Sequence, residues 1–528
     1  MEQSRRKNYV SNIILCVIYS TICGIITGLI VFGFKYVIKH IETFSRTIYE
    51  TTKESYKSII IVFVVLIVLA FLMYLLHRLI PSSKGGGIPR SEGVLRGILS
   101  FKWLRTFIGS TIGSFISVLS GVPVGTEGPS VILGTSIGDA VTKKSKKRPA
   151  IDRYVKTSGA AAGFAVATGA PLSGILFTLE EIHKRFTPML IMSASMSVIF
   201  ASLVNNVLCE LCNMDPRLFH IEFFSEFKLN HILYLILLGI IIGVLVFSFD
   251  KVIEIVNKFT DKYGKIFHPL VKLIILFIIT GILGFVFIEG IYSGHHIVEE
   301  MITNNKSIIF LLILVLIRFI MMCFVTDSSV TGGIFIPILA IASIVGAILG
   351  KGLILIGLEE EYFSVIVILT MCAFMGGTLR APLTATVLFL ELTGQFTDLF
   401  YAIIVIFIVN AITEIFGLHS FYERRLEKLE EEQNHGKTPK IALFQVQVSE
   451  NSFVVGKSVR DVMWPYASTV ISVRRYLEND KDTDNDGEKK IYANDTIVIR
   501  CKYYDEEEIK ELIYGLVGKN HQIKIKEA

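Results

Sequence analysis

The sequence predicts an all-α polytopic membrane protein built on an internal repeat, followed by a small α+β domain. Three observations carry this expectation: the apolar content, pairs of similar motifs at nearly equal offsets, and a change of pattern after Phe421. Of the 528 residues, 52% are hydrophobic, and a mean hydropathy of +0.59 does not suit a soluble chain of this length.

Asn12 to Phe34 runs for 23 residues without a charge, Ser58 to Leu76 is nearly as clean, and stretches near spanning length recur through Ile415. Arg5, Arg6 and Lys7 precede the first run as in a signal peptide. The run is too long for such a segment and lacks a small-residue cleavage site, so it reads as a retained first helix. The seven cysteines fall mostly in or beside apolar segments and suggest neither disulfides nor a metal. The single CxxC, Cys209 and Cys212, has no second pair, and zinc takes about four ligands; helix packing accounts for it. Lys143, Lys144, Lys146, Lys147 and Arg148 crowd one loop of a chain whose net charge is +5. Set between membrane helices, they mark a cytoplasmic loop and not a nucleic-acid surface.

Gly and Pro interrupt the apolar pattern at GGGIP (85–89), GTEGP (125–129), GAPLSG (169–174), GGIFIP (332–337) and APLT (381–384). Backbone freed by such breaks is tolerable in lipid only where protein covers it or it lines a polar cavity, so the breaks locate a site. Gly125 to Pro129 and Gly333 to Pro337 share a G-x-x-x-P spacing at an offset of 208, while APLSGILFTLEE from Ala170 and APLTATVLFLEL from Ala381 repeat at 211, with Glu180 opposite Glu391. A duplication with broken helices at matching points is the pattern of transporters, whose substrate sits where the repeats meet.

Breaks at Gly86, Glu127 and Phe335 suit an anion. Taking a unit charge into a medium of dielectric about 4 costs on the order of 20 kcal/mol; helix N-termini offer free amides and about half a positive charge each, enough to replace hydration without trapping the ion. Kinks or close helix packing are the alternative reading of any one break. Glu127 is an acid between glycines in an apolar stretch, where a charge costs about 2.5–3.5 kcal/mol. Deprotonated, it would occupy the anion's place; protonated, it would yield it. A structural hydrogen bond to a neighbouring helix is the other option for this side chain.

These motifs resemble the CLC family of chloride channels and proton-coupled chloride exchangers over roughly residues 10–433, with the APLSGILFTLEE and YERRL segments also fitting. The resemblance implies an inverted-repeat membrane fold, a homodimer with one anion pathway per subunit, location in the cell membrane and both termini in the cytoplasm. Carried over, Glu127 is the external gating glutamate and Glu181 the internal proton glutamate typical of exchangers. Tyr422 faces the central anion, Ile334 and Phe335 supply backbone amides, Gly86 holds the centre of the first motif, and Thr126 and Gly128 flank the gate. For Glu181, an ordinary charged helix end with Glu180, Lys184 and Arg185 is the alternative. Two positions depart from the family: Gly86 stands where chloride-preferring members often have Ser, and Thr126 replaces the usual Arg or Lys.

The tail divides into a linker at 434–440 and a domain at 441–528, leaving 1–433 as the membrane part. Strand-like alternation marks Ile441 to Val448, Thr469 to Val473 and Thr496 to Arg500, with a helix from Glu506 to Val517. Gly456-Lys-Ser458, the strand through Val473-Arg-Arg475 and Asn494-Asp-Thr496 resemble the C-terminal domain of potassium-uptake regulators (RCK or TrkA type). That implies control by a ligand, a nucleotide or cyclic dinucleotide. Asp482, Asp484, Asp486 and Gly487 imitate the start of a calcium loop, but Ala493 sits where its bidentate Glu belongs, which favours a solvated hairpin. No cofactor is expected beyond chloride as the transported ligand. The leading expectation is a proton/chloride antiporter; a passive chloride channel and a ligand-sensing receptor are the alternatives, and no nucleophile, metal cluster or phosphate loop suggests an enzyme.

Overall fold

The computed structural model describes residues 2–143, 149–219, 227–263, 267–303, 306–450, 452–465, 467–475, 487–519 and 523–527. Lys144, Lys146, Lys147, Arg148, Asp482, Asp484 and Asp486 of the sequence reading lie outside them. The first eight helices are α1 (Glu2–Thr51), α2 (Tyr56–Leu79), α3 (Gly87–Arg96), α4 (Trp103–Leu119), α5 (Glu127–Lys143), α6 (Pro149–Thr168), α7 (Pro171–Phe177) and α8 (Pro188–Leu211). The next eight are α9 (Ile232–Tyr263), α10 (Pro269–Val286), α11 (His295–Thr303), α12 (Ile308–Ser328), α13 (Phe335–Leu355), α14 (Phe363–Leu379), α15 (Pro382–Thr393) and α16 (Leu399–Ile415). The second set repeats the first helix by helix at the offset of the motifs. The chain is a multi-pass membrane protein: eight helices among the described residues are long and apolar enough to cross a bilayer. Ile18, Ile25 and Leu29 on α1 and Ile61, Val64 and Val68 on α2 face outward, where lipid covers them.

Small residues bring the inner helices together. A Cβ on Gly134 of α5 would strike the carbonyl of Gly159 on α6, and one on Gly159 would strike that of Gly134, so the two backbones touch. The repeats grip each other through their acids. Glu391 accepts from the amides of Leu172 (2.6 Å) and Ser173 (2.9 Å) and from the Ser173 hydroxyl (2.6 Å). Glu180 does the same for Leu383 (2.9 Å), Thr384 (2.7 Å) and the Thr384 hydroxyl (2.7 Å). Each repeat thereby caps the first turn of the other's Pro-initiated helix, α7 or α15, where the free amides need an acceptor.

Helix α17 (Phe421–Gln433) returns beneath this core and leads to an antiparallel sheet of order β2-β3-β1-β4, with β1 (Lys440–Gln447), β2 (Ser468–Arg474), β3 (Thr496–Tyr503) and β4 (Lys524–Glu527). Strands β1, β2 and β3 and helix α18 (Glu506–Val517) match the expected pattern, whereas β4 is not part of it. Lys524-Ile-Lys-Glu527 carries a single apolar residue, and its pairing with β1 supplies the order that its own pattern lacks. Phe444, Val446, Ile497 and Ile499 bury one face of the sheet together with Ile513 and Val517 of α18. The domain meets the membrane helices at Arg153 of α6, whose guanidinium donates to the carbonyls of Leu95 (2.9 Å) and Met463 (2.9 Å).

Candidate functional site

Three helix N-termini converge at the breaks singled out in the sequence. Gly86 is the residue before α3, while α5 begins at Glu127 and α13 at Phe335. Gly125 and Gly333, the first glycines of the duplicated motif, exchange backbone hydrogen bonds of 2.6 and 2.8 Å. A Cβ on Gly128 would lie 3.0 Å from Gly333 Cα and 3.1 Å from the Gly87 nitrogen, all of it backbone that cannot rotate away. Glycine at these positions is what allows three positive helix ends to share one point.

They enclose a cavity of about 30 Å³, room for roughly one or two waters and so for one small ion. Gly86, Gly128, Ile334 and Tyr422 line it. The Tyr422 side chain is buried, and its hydroxyl has no partner among the described residues. An orphaned donor beside free amides is the environment of a dehydrated anion. Phe335 is placed differently. Its ring packs edge-on against Phe164 at 5.1 Å and does not line the cavity, so only its backbone is available to an ion.

Glu127 stands between this cavity and an outer vestibule of about 480 Å³. Its neighbours divide accordingly: Gly128 and Ile334 line the cavity, Thr126 and Ile336 the vestibule. Thr126 is thus an outer residue; its hydroxyl donates to Glu127 Oε1 at 3.3 Å, while the buried Oε2 has no partner among the described residues. The backbone amides of Glu127 and Ile336 also face this carboxylate, so it sits against the helix ends of α5 and α13. Lys35, Lys39 and Arg217 bring basic charge to the same vestibule, with the Lys35 ammonium 2.7 Å from the Val166 carbonyl at the end of α6.

Glu181 lies on the opposite side, in a π-helical turn over Thr178–His183. The wider turn lets two successive acids point apart, Glu180 to α15 and Glu181 into the core. Ser420 donates to Glu181 Oε1, and Oε2 is again buried without a partner among the described residues. The same Ser420 oxygen accepts the Tyr422 amide at 3.3 Å, so one hydroxyl joins this acid to the helix that carries the cavity's tyrosine. Arg96 fixes the turn from below, donating to the carbonyls of Ile182 (2.6 Å) and Glu181 (3.0 Å) while pairing with buried Glu92 at 2.8 Å. An ordinary solvated helix end is therefore not what surrounds Glu181. Lys184 and Arg185 do not pair with it; Lys184 meets Glu423 at 2.6 Å.

Sequence reasoning missed Ser420, Arg96, Glu92 and Lys35. Glu92 and Arg96 sit four apart on α3 and could have been noticed as a charge pair within an apolar context. Nothing in their local sequence signals Ser420 or Lys35, whose partners are 239 and 131 residues away.

The family described as voltage gated chloride channel matches residues 68–414. The H(+)/Cl(-) exchange transporter ClcA of Vibrio parahaemolyticus is 29% identical over 369 residues, covering 67% of this chain and 76% of that protein. ClcA of Salmonella paratyphi B is 28% identical over 377 residues, covering 68% and 77%. Among solved structures, a slow cyanobacterial Cl-/H+ antiporter superposes with a TM-score of 0.73 at 25% identity, over 80% of this chain and 99% of the other. With the matched segment spanning most of both repeats and enclosing all three converging helix ends as well as Glu181, this chain belongs to the voltage-gated chloride channel family and is a transporter, not an enzyme.

Proposed function

We propose that this protein exchanges chloride for protons across the cell membrane, with Glu127 and Glu181 as its two proton-carrying groups. The observation that carries the reading is a pair of wholly buried carboxylates, each with an unpartnered oxygen, on opposite sides of a cavity edged by glycine backbone and the Tyr422 hydroxyl. Deprotonated Glu127 swings into the cavity and takes the anion's place; protonated, it leaves the amides of α5 and α13 and the Tyr422 hydroxyl to chloride. Gly86, Gly128, Ile334 and Phe335 contribute backbone, and Thr126 steadies the acid on its outer side. Glu181 passes the proton to the cytoplasm. The names of the relatives, two exchange transporters and an antiporter, support the same assignment.

The working unit is a homodimer with both termini in the cytoplasm. The membrane part spans 1–433, the linker 434–440 and the terminal domain 441–528. That domain is a regulator of RCK or TrkA type, responsive to a nucleotide or cyclic dinucleotide; its four-stranded sheet, its single helix and its contact with α6 support a module that reports to the transport core.

Purified protein in liposomes should drive protons uphill when given a chloride gradient, and Glu127→Ala should leave chloride flux uncoupled from protons. Chloride movement in the native protein with no accompanying protons would refute the exchanger and leave a passive channel.

A further inference from the structure

An inner vestibule of about 620 Å³ lies below the central cavity. Four residues line both spaces: Gly85, Gly86, Pro89 and Arg425. Arg425 alone of these carries charge. It lies three residues beyond Tyr422 on α17, which puts both side chains on one helix face, the tyrosine reaching the cavity and the arginine its inner mouth.

Two features of this mouth should discourage an anion. The C-terminus of α12 ends there, with Val325 and Thr326 lining the cavity, and a helix C-terminus carries about half a negative charge. Gly86 also brings no side-chain donor. A Cβ at 86 would meet the Gly332 carbonyl at 3.3 Å, a tight contact that the backbone must ease slightly, and nothing else within 4 Å. Arg425 answers both deficits: its Nη2 donates to the Thr326 carbonyl at 3.0 Å, covering the negative helix end with a full positive charge at the level of Gly86.

We propose that Arg425 is the specificity-determining residue of the inner anion position, holding the ion where cavity and vestibule join in place of a hydroxyl at residue 86. This rests on the anion-exchange reading above. A guanidinium selects by charge and by its planar fork, which matches planar oxyanions such as nitrate better than a single hydroxyl does. Native protein should therefore accept nitrate nearly as readily as chloride. Standing where the cavity opens into the vestibule, the cation attracts the ion without holding it at the centre.

The test is flux into liposomes for native protein, Arg425→Gln, Arg425→Lys and the double variant Arg425→Gln with Gly86→Ser. Half-saturating chloride, the nitrate-to-chloride rate ratio and proton coupling are read together. Arg425→Gln should raise half-saturating chloride about tenfold or more, the scale of one lost charge-assisted hydrogen bond, and lower nitrate flux further than chloride flux. Arg425→Lys keeps charge and reach to Thr326 but loses the fork, so it should lower the nitrate-to-chloride ratio with chloride saturation nearly native; a purely structural arginine would not move that ratio. The serine in the double variant should recover chloride saturation but not nitrate flux. An unchanged ratio in Arg425→Lys overturns the proposal even if Arg425→Gln does not fold, and so does native saturation in Arg425→Gln. If native protein exchanges chloride for protons while the Arg425 variants behave alike, this inference alone fails; if native protein couples no protons, it is the function reading that fails.

Discussion

Replacing Lys457 with Met should tighten the terminal domain against the membrane helices and remove the pH dependence of that contact. Lys457 belongs to the soluble domain, yet its ammonium lies 3.3 Å from the Met189 sulfur on α8 and 3.2 Å from the centre of the Phe453 ring, with Tyr154 of α6 nearby. The residue is 8% exposed, and burial pushes its pKa down from the usual 10.5 to about 7, with Cys16 and Asp461 opposing that shift weakly. A separated domain would expose this lysine and keep it protonated up to about 10.4. Between pH 7 and that value the separated state holds more protons than the docked one, so docking strengthens as pH rises. Below about pH 7 both states are charged, and docking carries the full cost of the buried ammonium. That interval corresponds to about 5 kcal/mol at 1.36 kcal/mol per pH unit; the aromatic face returns about 2 kcal/mol of it, leaving roughly 3. Lys457→Met should therefore gain about 3 kcal/mol of docking at pH 6 and less at pH 9. The assay is protease cleavage of the linker between α17 and β1, with Trp464 fluorescence in a Trp103→Phe background as a second probe. If native protein is cleaved equally fast at pH 6 and pH 9, and the variant matches it at both, the reasoning is wrong.

The remaining expectations concern the core. Glu391→Ala strands two backbone amides and a hydroxyl at the start of α7, at a cost of about 2–3 kcal/mol; the detergent-solubilised variant should melt several degrees lower, Glu180→Ala should do likewise, and native melting of both would discredit the reciprocal caps. Gly128→Ala must push three helix ends apart against backbone, an overpacking of about 1–3 kcal/mol. Chloride and proton fluxes should disappear together while the purified protein keeps its helical circular dichroism; retained flux would show that the convergence is not required. Glu181→Gln keeps the Ser420 contact but cannot release a proton, so liposomes should pass chloride with proton flux reduced at least tenfold, and unaltered coupling would remove this residue from the pathway.

What the sequence reveals, and what it hides, follows from how far apart the interacting residues lie. The breaks at 86, 127 and 335 are legible because Gly and Pro act on their own backbone, and the paired offsets of 208 and 211 are legible because duplication leaves a linear trace. Glu180 and Glu391 appear as equivalent positions in the sequence, but their exchange across the interface does not, since it depends on the start of each of α7 and α15 meeting the end of the other. The outer place of Thr126 and the withdrawn ring of Phe335 are likewise set by the tilt of α5 and α13, which periodicity cannot supply. β4 escapes because an edge strand of four mostly charged residues gains its order from β1 and not from its own alternation.

Duplication alone would not make an exchanger, because a symmetric frame treats its two sides alike. It provides the parts that an anion needs in pairs: two helix N-termini joined through Gly125 and Gly333, and two capping acids that fasten one repeat to the other. Direction has to come from positions where the repeats differ. At the offset of the first motif pair the partner of Glu127 is Phe335, and at that of the second the partner of Glu181 is Leu392. The second repeat also continues as regular α-helix through Thr393 where the first opens into a π turn. Each acid is thus answered by an apolar residue, and the two acids fall on opposite sides of the cavity because one opens α5 and the other lies in the turn after α7. On the proposed assignment, a proton moving between them would traverse a frame that is even-handed toward chloride and one-sided toward protons.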